Sequence, residues 1–232
     1  GDVVASNLSG ALTVTTADNT ADSTISVTAG TGNLTLTAAA TTDTVTVNAA
    51  AMTTQTITLS GDSNFAVTNW DSTGLLDASS ATQGLTVTSA GTTGARSVTV
   101  GDLSAATSVS IATAGAVTVN VAGANAATSL GNLTVTDTGS NADLTIAFTG
   151  GGTINFNSIV GEAEVTAITM DSSSYSLALS NQAMTLTQTG GSASQTISSI
   201  GTATALHTYS YSTTGAVTLN SAGIYFDSAG EA

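Results

Sequence analysis

Apolar and hydroxyl residues alternate in short segments along most of this chain. Leu12-Thr13-Val14, Ile25-Ser26-Val27, Leu34-Thr35-Leu36, Val45-Thr46-Val47 and Ile57-Thr58-Leu59 are followed by Leu85-Thr86-Val87, Val98-Thr99-Val100, Val109-Ser110-Ile111, Val117-Thr118-Val119, Leu133-Thr134-Val135 and Leu144-Thr145-Ile146. A period of two marks a strand with one buried and one wet face. With Phe65 and Leu76 counted as members, the first apolar position advances by a mean of about 11 residues over the twelve steps from Leu12 to Leu144. Gly, Asn, Asp, Ser and Ala fill the intervals and supply turns. The pattern predicts a long series of short strands repeated at low stringency.

Two architectures give this beat. A β-solenoid, parallel and β-helix-like, stacks one strand per face, so each rung takes two or three beats. Tandem antiparallel β-sandwiches also place short strands 8–12 residues apart. Uniform segments, a small-aliphatic interior and a complete lack of Pro favour the solenoid. In that reading Val45, Val47, Ile57, Leu59, Leu85, Val87, Val117 and Val119 point inward and stack with their equivalents on neighbouring rungs. The chain divides into a repetitive β-rich body over 1–170 and a β-rich C-terminal part over 171–232, joined as one continuous domain. Tyr175, Tyr209, Tyr211, Tyr225 and Phe226, five of the nine aromatics, lie in that second part. They read first as a cap over the last rung, and otherwise as a contact between subunits.

Composition sharpens the fold class. Thr accounts for 47 of the 232 residues, and its branched side chain suits a pleated surface better than a helix. There is no Lys, a single Arg, and no Cys, so disulfides and thiolate metal sites play no part. The usage is that of a secreted surface protein, and the chain starting at Gly1 reads as a mature or trimmed product or a domain of a longer one. Fifteen acids against one base give a formal charge of −14. Nucleic acid requires a basic footprint that this chain lacks, and anionic membrane surfaces are excluded on the same ground. No run reaches the ~20 apolar residues that span a bilayer, so membrane insertion is not expected.

The acids suit divalent cations, above all calcium, which takes six to eight oxygen ligands. Asp62, Asn64, Asp71 and Asp77 form one candidate set at successive turns. Asp137, Asn141 and Asp143 form a second around Gly139. Each competes with a simpler role, since Asp and Asn cap turns through nearby backbone N–H groups. Catalysis is not expected. Glu162 and Glu164 would share a strand face, and carboxylate pairs hydrolyse glycosides at suitable separations. The single His, His207, lies on the face of Tyr209 and Tyr211 and cannot build a zinc site alone. No nucleophile elbow, P-loop, dinucleotide fingerprint or His-Glu-x-x-His is present. The lone Arg96 reads as half of a surface ion pair worth under ~1 kcal/mol. Asn7, Asn33 and Asn132 head Asn-x-Ser/Thr triplets, a weak signal in so Thr-rich a chain.

The stretch from Thr56 to Thr88, TITLSGDSNFAVTNWDSTGLLDASSATQGLTVT, is the most distinctive. Its order of strand, Gly61-Asp62-Ser63-Asn64, strand, Asp77-Ala78-Ser79 and Gly84-strand resembles the repeats of Gram-negative S-layer proteins of the calcium-dependent, type I-secreted, RTX-related class. The RTX nonapeptide itself is missing. Its nearest relative, Gly190-Gly191-Ser192-Ala193-Ser194-Gln195-Thr196-Ile197, lacks the third Gly and the ligating Asp. The resemblance implies a structural subunit of an extracellular assembly, an S-layer or surface filament. Such a subunit would associate with itself, bridged by calcium, and hold to cell-surface polysaccharide. The competing class is a binding module, either a secreted adhesin or an ice-binding solenoid. The latter is suggested by the pairs Thr13/Thr15, Thr35/Thr37, Thr86/Thr88 and Thr134/Thr136, which would need to lie on one side of the molecule.

Overall fold

Parallel strands cannot be joined by a hairpin; each needs a crossover of a dozen or more residues. A strand every 11 or so residues meets that demand if each strand's crossover is itself a strand of an opposite sheet. The computed structural model shows this arrangement. It describes residues 1–17, 24–39, 43–89, 94–101, 103, 107–111, 115–122, 132–137, 144–155, 165–179, 185–188, 192, 195–199, 208–211 and 215–220. The described residues hold 21 strands and no α-helix.

The first sheet has seven strands, β1 (Asp2–Val4), β3 (Thr24–Thr28), β5 (Thr44–Asn48), β7 (Asn64–Thr68), β9 (Leu85–Thr88), β11 (Thr107–Ile111) and β13 (Leu133–Asp137). The second has ten, β2 (Leu12–Thr16), β4 (Leu34–Ala38), β6 (Ile57–Gly61), β8 (Leu75–Ala81), β10 (Arg96–Thr99), β12 (Val117–Ala122), β14 (Leu144–Thr149), β16 (Val165–Met170), β18 (Thr185–Gln188) and β20 (Thr208–Tyr211). A third holds β15 (Gly152–Asn155), β17 (Tyr175–Leu179), β19 (Gln195–Ser199) and β21 (Val217–Asn220). Every pairing is parallel and links a strand to the next but one in sequence. The chain is therefore a β-solenoid with two beats per rung, and the antiparallel sandwich alternative fails. Paired residues on successive rungs lie 18 to 27 apart, from Ala167 with Thr185 to Val117 with Leu144, and most rungs fall at 20 to 24, as in Thr37 to Ser60, 23 apart, and Asn64 to Gly84, 20 apart.

Register carries the alternation through the stack. Leu12, Leu34, Ile57 and Leu76 form one inward column, and Val45, Phe65, Leu85 and Thr107 begin another. The eight residues expected inside are all buried. Hydroxyls dominate the outward phase, as in the column Ser26, Thr46, Ala66, Thr86, Ser108, Thr134 on the first sheet, which Ala66 alone interrupts. Burial of thin aliphatic columns stabilises the stack at roughly 25 cal/mol per Å2 of apolar surface, while each rung contacts chiefly its neighbours.

Two kinds of corner join the sheets. In the corner from first to second sheet, the ladder runs on past the strands: Ala29 N–H donates to Asn48 O, Ala49 to Thr68 O and Ser89 to Ser110 O, all at 3.0–3.1 Å. In the rung between, Trp70 and not Asn69 makes the equivalent bond, to Thr88 O at 3.2 Å. Asn69 is an inserted residue with φ of 53°, a left-handed conformation that Asn tolerates better than most. The insertion turns Trp70 into the slot held elsewhere by Ala29, Ala49 and Ser89, where its ring is fully buried. In the opposite corner, Gly61 has φ of 102°, and a Cβ there would lie 2.1 Å from Ala38 O. Only Gly fits this position.

The first sheet ends at β13 and the third begins at β15. Gly150, Gly151 and Gly152, with φ of 83°, 71° and 131°, mark the change. Three successive positive φ values redirect the chain in a way L side chains rarely follow.

Candidate functional site

The topology scatters the first set of expected ligands. Asp62 and Asn64 lie in the corner from second to first sheet, Asp71 in the corner from first to second, and Asp77 on the outward phase of β8. No three of these carboxylates and amides share a corner. Among the described residues, no group of three or more His, Cys, Asp or Glu side chains is arranged to hold a metal ion. Asp62 and Asn64 thus share one corner, while Asp71 and Asp77 stand apart from it. Of the second set, Asp137 ends β13 opposite Ile111; its side chain, and Asn141 and Asp143 entirely, lie outside the described residues.

Each member of the first set instead fastens its own turn or two successive rungs. Thr82 Oγ1 donates to Asp62 Oδ1 at 2.5 Å across a rung boundary, and Asp62 N–H donates to Ala38 O on the other side. Asn64 Oδ1 accepts from Gly84 N–H at 3.1 Å, while Asn64 N–H donates to Asp43 O. Asp77 Oδ1 accepts from Ser79 N–H at 3.0 Å, a local Asx turn. Only the Asp77 bond is local; Asp62 and Asn64 are held from the next rung, by a Thr82 hydroxyl and a Gly84 backbone N–H. Of these, Asp62 is exposed and Asp77 half-buried.

Asp71 has a different partner. Arg96 Nη2 lies 2.5 Å from Asp71 Oδ1, and its Nη1 donates to Gly94 O and Ala95 O at 3.3 Å. The Arg96 side chain is 0% exposed and that of Asp71 31%. The expected surface ion pair is thus a pair with its cation inside the solenoid. The reason lies in phase: Arg96 stands two residues before Val98, in the slot that holds Val117 on the next rung. Gly94 makes room, since a Cβ there would sit 3.2 Å from Arg96 Nη1. In the same corner, the Trp70 indole N–H and the Ser89 hydroxyl are buried without a hydrogen-bond partner.

A second hub, not foreseen from the sequence, sits where the third sheet begins. The Tyr175 hydroxyl lies 2.6 Å from Asp171 Oδ1 and 3.0 Å from Phe148 O. Asp171 also accepts from Gly150 N–H at 2.8 Å and from Ser173 N–H at 3.0 Å. Buried Gln188 donates to Asp171 O and Ser173 O, both at 3.3 Å. Burial alone would raise the Asp171 pKa, but the hydrogen bonds from Tyr175, Gly150 and Ser173 outweigh it and hold the carboxyl below its ordinary range. Burial first, and then the Asp171 hydrogen bond, push the Tyr175 phenol above its ordinary range. Tyr175, expected in a terminal cap, is 3% exposed on β17, with β19 and β21 stacked beyond it. A Tyr in the inward phase two residues before Leu177, four after an Asp, was the available signal. The side chains of Tyr209 and Tyr211, and all of Tyr225, Phe226, His207, Glu162 and Glu164, lie outside the described residues.

This hub sets a pH response. A carboxyl whose folded pKa is depressed contributes stability above its unfolded value of about 3.9, and loses it as pH falls through the lower folded value. A phenol whose folded pKa is raised contributes stability below its unfolded value of about 10 and loses it at higher pH. Removing the hydroxyl with Tyr175→Phe is expected to cost about 1.5–3 kcal/mol at neutral pH, the range for a hydrogen bond to a charged group. Chemical denaturation from pH 2 to 11 checks this. The gap between parent and variant should close below pH 4, and a gap constant across that range would show that Asp171 is not the partner.

The Thr pairs do not share a face. Thr13/Thr15 and Thr35/Thr37 belong to the second sheet, Thr86/Thr88 and Thr134/Thr136 to the first. Asp62, Asn64, Asp71, Arg96, Asp171 and Tyr175 staple rungs and corners together. No protein-family model, curated protein or solved structure matches the chain.

Proposed function

We propose that this protein is a structural subunit of an extracellular assembly, an S-layer or surface filament, which associates with itself and is not an enzyme. The observation that supports this most is the use of its polar residues. Asp62, Asn64, Asp71, Arg96, Asp171 and Tyr175 all hold the frame together, so the chemistry of the chain is invested in rigidity. The solenoid adds a surface of hydroxyl columns, and the resemblance around Asp62 and Asp77 points to the same class.

Calcium enters this reading between copies. Two surfaces carrying −14 each repel at direct contact, where a Debye length of about 8 Å gives little screening. A divalent ion bridging carboxylates of two subunits turns that repulsion into cohesion. Exposed Asp62 and half-buried Asp77 suit the role, whereas Asp71 is engaged by Arg96. Cell-surface polysaccharide is the proposed anchor, consistent with a face rich in hydroxyls. Purified assemblies treated with excess EDTA should dissociate, and light scattering should recover with calcium but not with sodium at equal ionic strength. Assemblies that survive prolonged chelation would remove calcium from the account.

A further inference from the structure

A buried Trp ordinarily pairs its indole N–H, because that nitrogen can only donate and an apolar wall offers it nothing. Trp70 departs from the rule. Its ring is 0% exposed, and Nε1 has no hydrogen-bond partner among the described residues. The hydroxyl of Ser89, a residue 7% exposed, is in the same position. The two hold the equivalent slot on successive rungs: Trp70 N–H donates to Thr88 O, and Ser89 N–H to Ser110 O. In the two preceding rungs this slot holds Ala29 and Ala49, whose methyl groups need no partner. An indole and a hydroxyl therefore fall next to each other in one column, at the corner where the inserted Asn69 breaks the regular spacing. They are not bonded to each other. A polar group buried unpaired loses its hydration without compensation, so two in one slot call for a shared explanation.

We infer that Trp70 and Ser89 form an internal binding site for a single water molecule, which bridges one rung to the next inside this corner. The chemistry of the slot selects the occupant. An indole N–H needs an acceptor, while a serine hydroxyl takes either a donor or an acceptor. A metal cation accepts nothing and fails that test. An anion passes it, but Arg96 in the same corner already has its counter-charge in Asp71, so an added anion would be a buried charge left uncompensated. Ala49 and Met52, both 0% exposed in the rung before, supply apolar walls and no side-chain hydrogen bond. Water accepts from Trp70 Nε1–H and donates to Ser89 Oγ, which satisfies both groups with one neutral molecule. Buried waters of this kind serve groups that the chain cannot pair by itself. The bridge does for this corner what the bonds from Thr82 to Asp62 and from Gly84 to Asn64 do for the opposite one. The site belongs to the frame of the molecule and is independent of what that frame assembles into.

A crystal structure of the protein that resolves ordered water tests the site directly. The expected result is a water oxygen within about 2.7–3.2 Å of both Trp70 Nε1 and Ser89 Oγ. In solution, oxygen-17 relaxation dispersion counts the waters held for longer than the molecule takes to tumble. Two variants are compared with the parent once thermal melts verify their fold. Ser89→Ala repeats the side chain that the slot already carries at Ala29 and Ala49, and Trp70→Phe keeps a ring while removing the N–H. Each is expected to lower the dispersion by the equivalent of a single long-lived water, whereas Thr88→Ala, on the outward phase of β9, leaves it unchanged. A dispersion unaltered by Ser89→Ala or by Trp70→Phe would overturn the site, as would a crystal in which Trp70 and Ser89 bond directly or the slot holds no water. An anomalous signal at the slot in a bromide-soaked crystal would also overturn it, by showing an anion in place of water.

Discussion

Replacing Asp71 with Ala should destabilise the protein by about 3–5 kcal/mol, the cost of leaving a buried charge without its counter-ion. The asymmetry of the pair makes the prediction specific. The guanidinium of Arg96 is 0% exposed, while the Asp71 carboxylate keeps 31% of its surface in water. Loss of Asp71 therefore strands a cation that has no access to solvent, while loss of Arg96 leaves an anion that water can reach. Arg96→Met, which fills much of the same volume with an apolar chain, is expected to be close to neutral or stabilising, as replacement of buried ion pairs by hydrophobes often is. The double variant should recover most of what Asp71→Ala loses. Urea denaturation of the three proteins decides the matter. Equal small losses for both single variants would show that the pair behaves as a surface salt bridge, worth about 0–1 kcal/mol, and that the Arg96 slot is open to water.

Val87→Asp is expected to be as damaging, for a different reason. Val87 is fully buried and lies between Val67 and Val109 in the inward column of the first sheet. A carboxylate there has apolar neighbours above and below, and the cost of burying it unpaired is several kcal/mol. The adjacent Thr88→Asp is the matching control, because one residue along a strand changes the face. Thr88 is exposed, and its substitution should stay within about 0.5 kcal/mol of the parent. Thermal melts of the two variants read the register directly. A Val87→Asp protein melting within a degree or two of the parent would place Val87 outside the core and dismantle the rung alignment.

The architecture was legible because one signal was repeated many times. A mean step of about 11 residues is half of the 20–24 residues that separate most bonded rungs, within a full range of 18 to 27, and strict alternation fixed which residues face inward. Number of beats per rung was not legible, since the corners are made of the same small residues whether a rung has two sides or three. Arg96 shows how a sound general rule can mislead. Its phase, set by Val98, pointed inward, yet a lone charge is ordinarily solvated, and that expectation prevailed over the alternation. Trp70 was hidden differently, because the inserted Asn69 displaces it by one residue from the slot its neighbours define. The candidate ligands Asp62, Asn64 and Asp77 were recognisable as turn residues, but only Asp77 makes a local turn bond, while Asp62 and Asn64 bond across to the next rung. What spacing could not reveal is that successive turns of a solenoid alternate between opposite corners, which separates Asp62 from Asp71. The Asp171–Tyr175 hub joins β14, β17 and β18 through contacts up to 27 residues apart, a range at which no local pattern reports.

Hydroxyl columns and stapled corners suit the proposed role as a component of an assembly. The protein's rungs are alike, and at its corners Asp62 is held by Thr82 and Asp71 by Arg96. Negative-stain electron microscopy of the purified chain, with and without calcium, tests that claim most directly. The account predicts ordered filaments or sheets that appear with rising protein concentration and calcium. Monodisperse single particles at all concentrations, in both conditions, would contradict it.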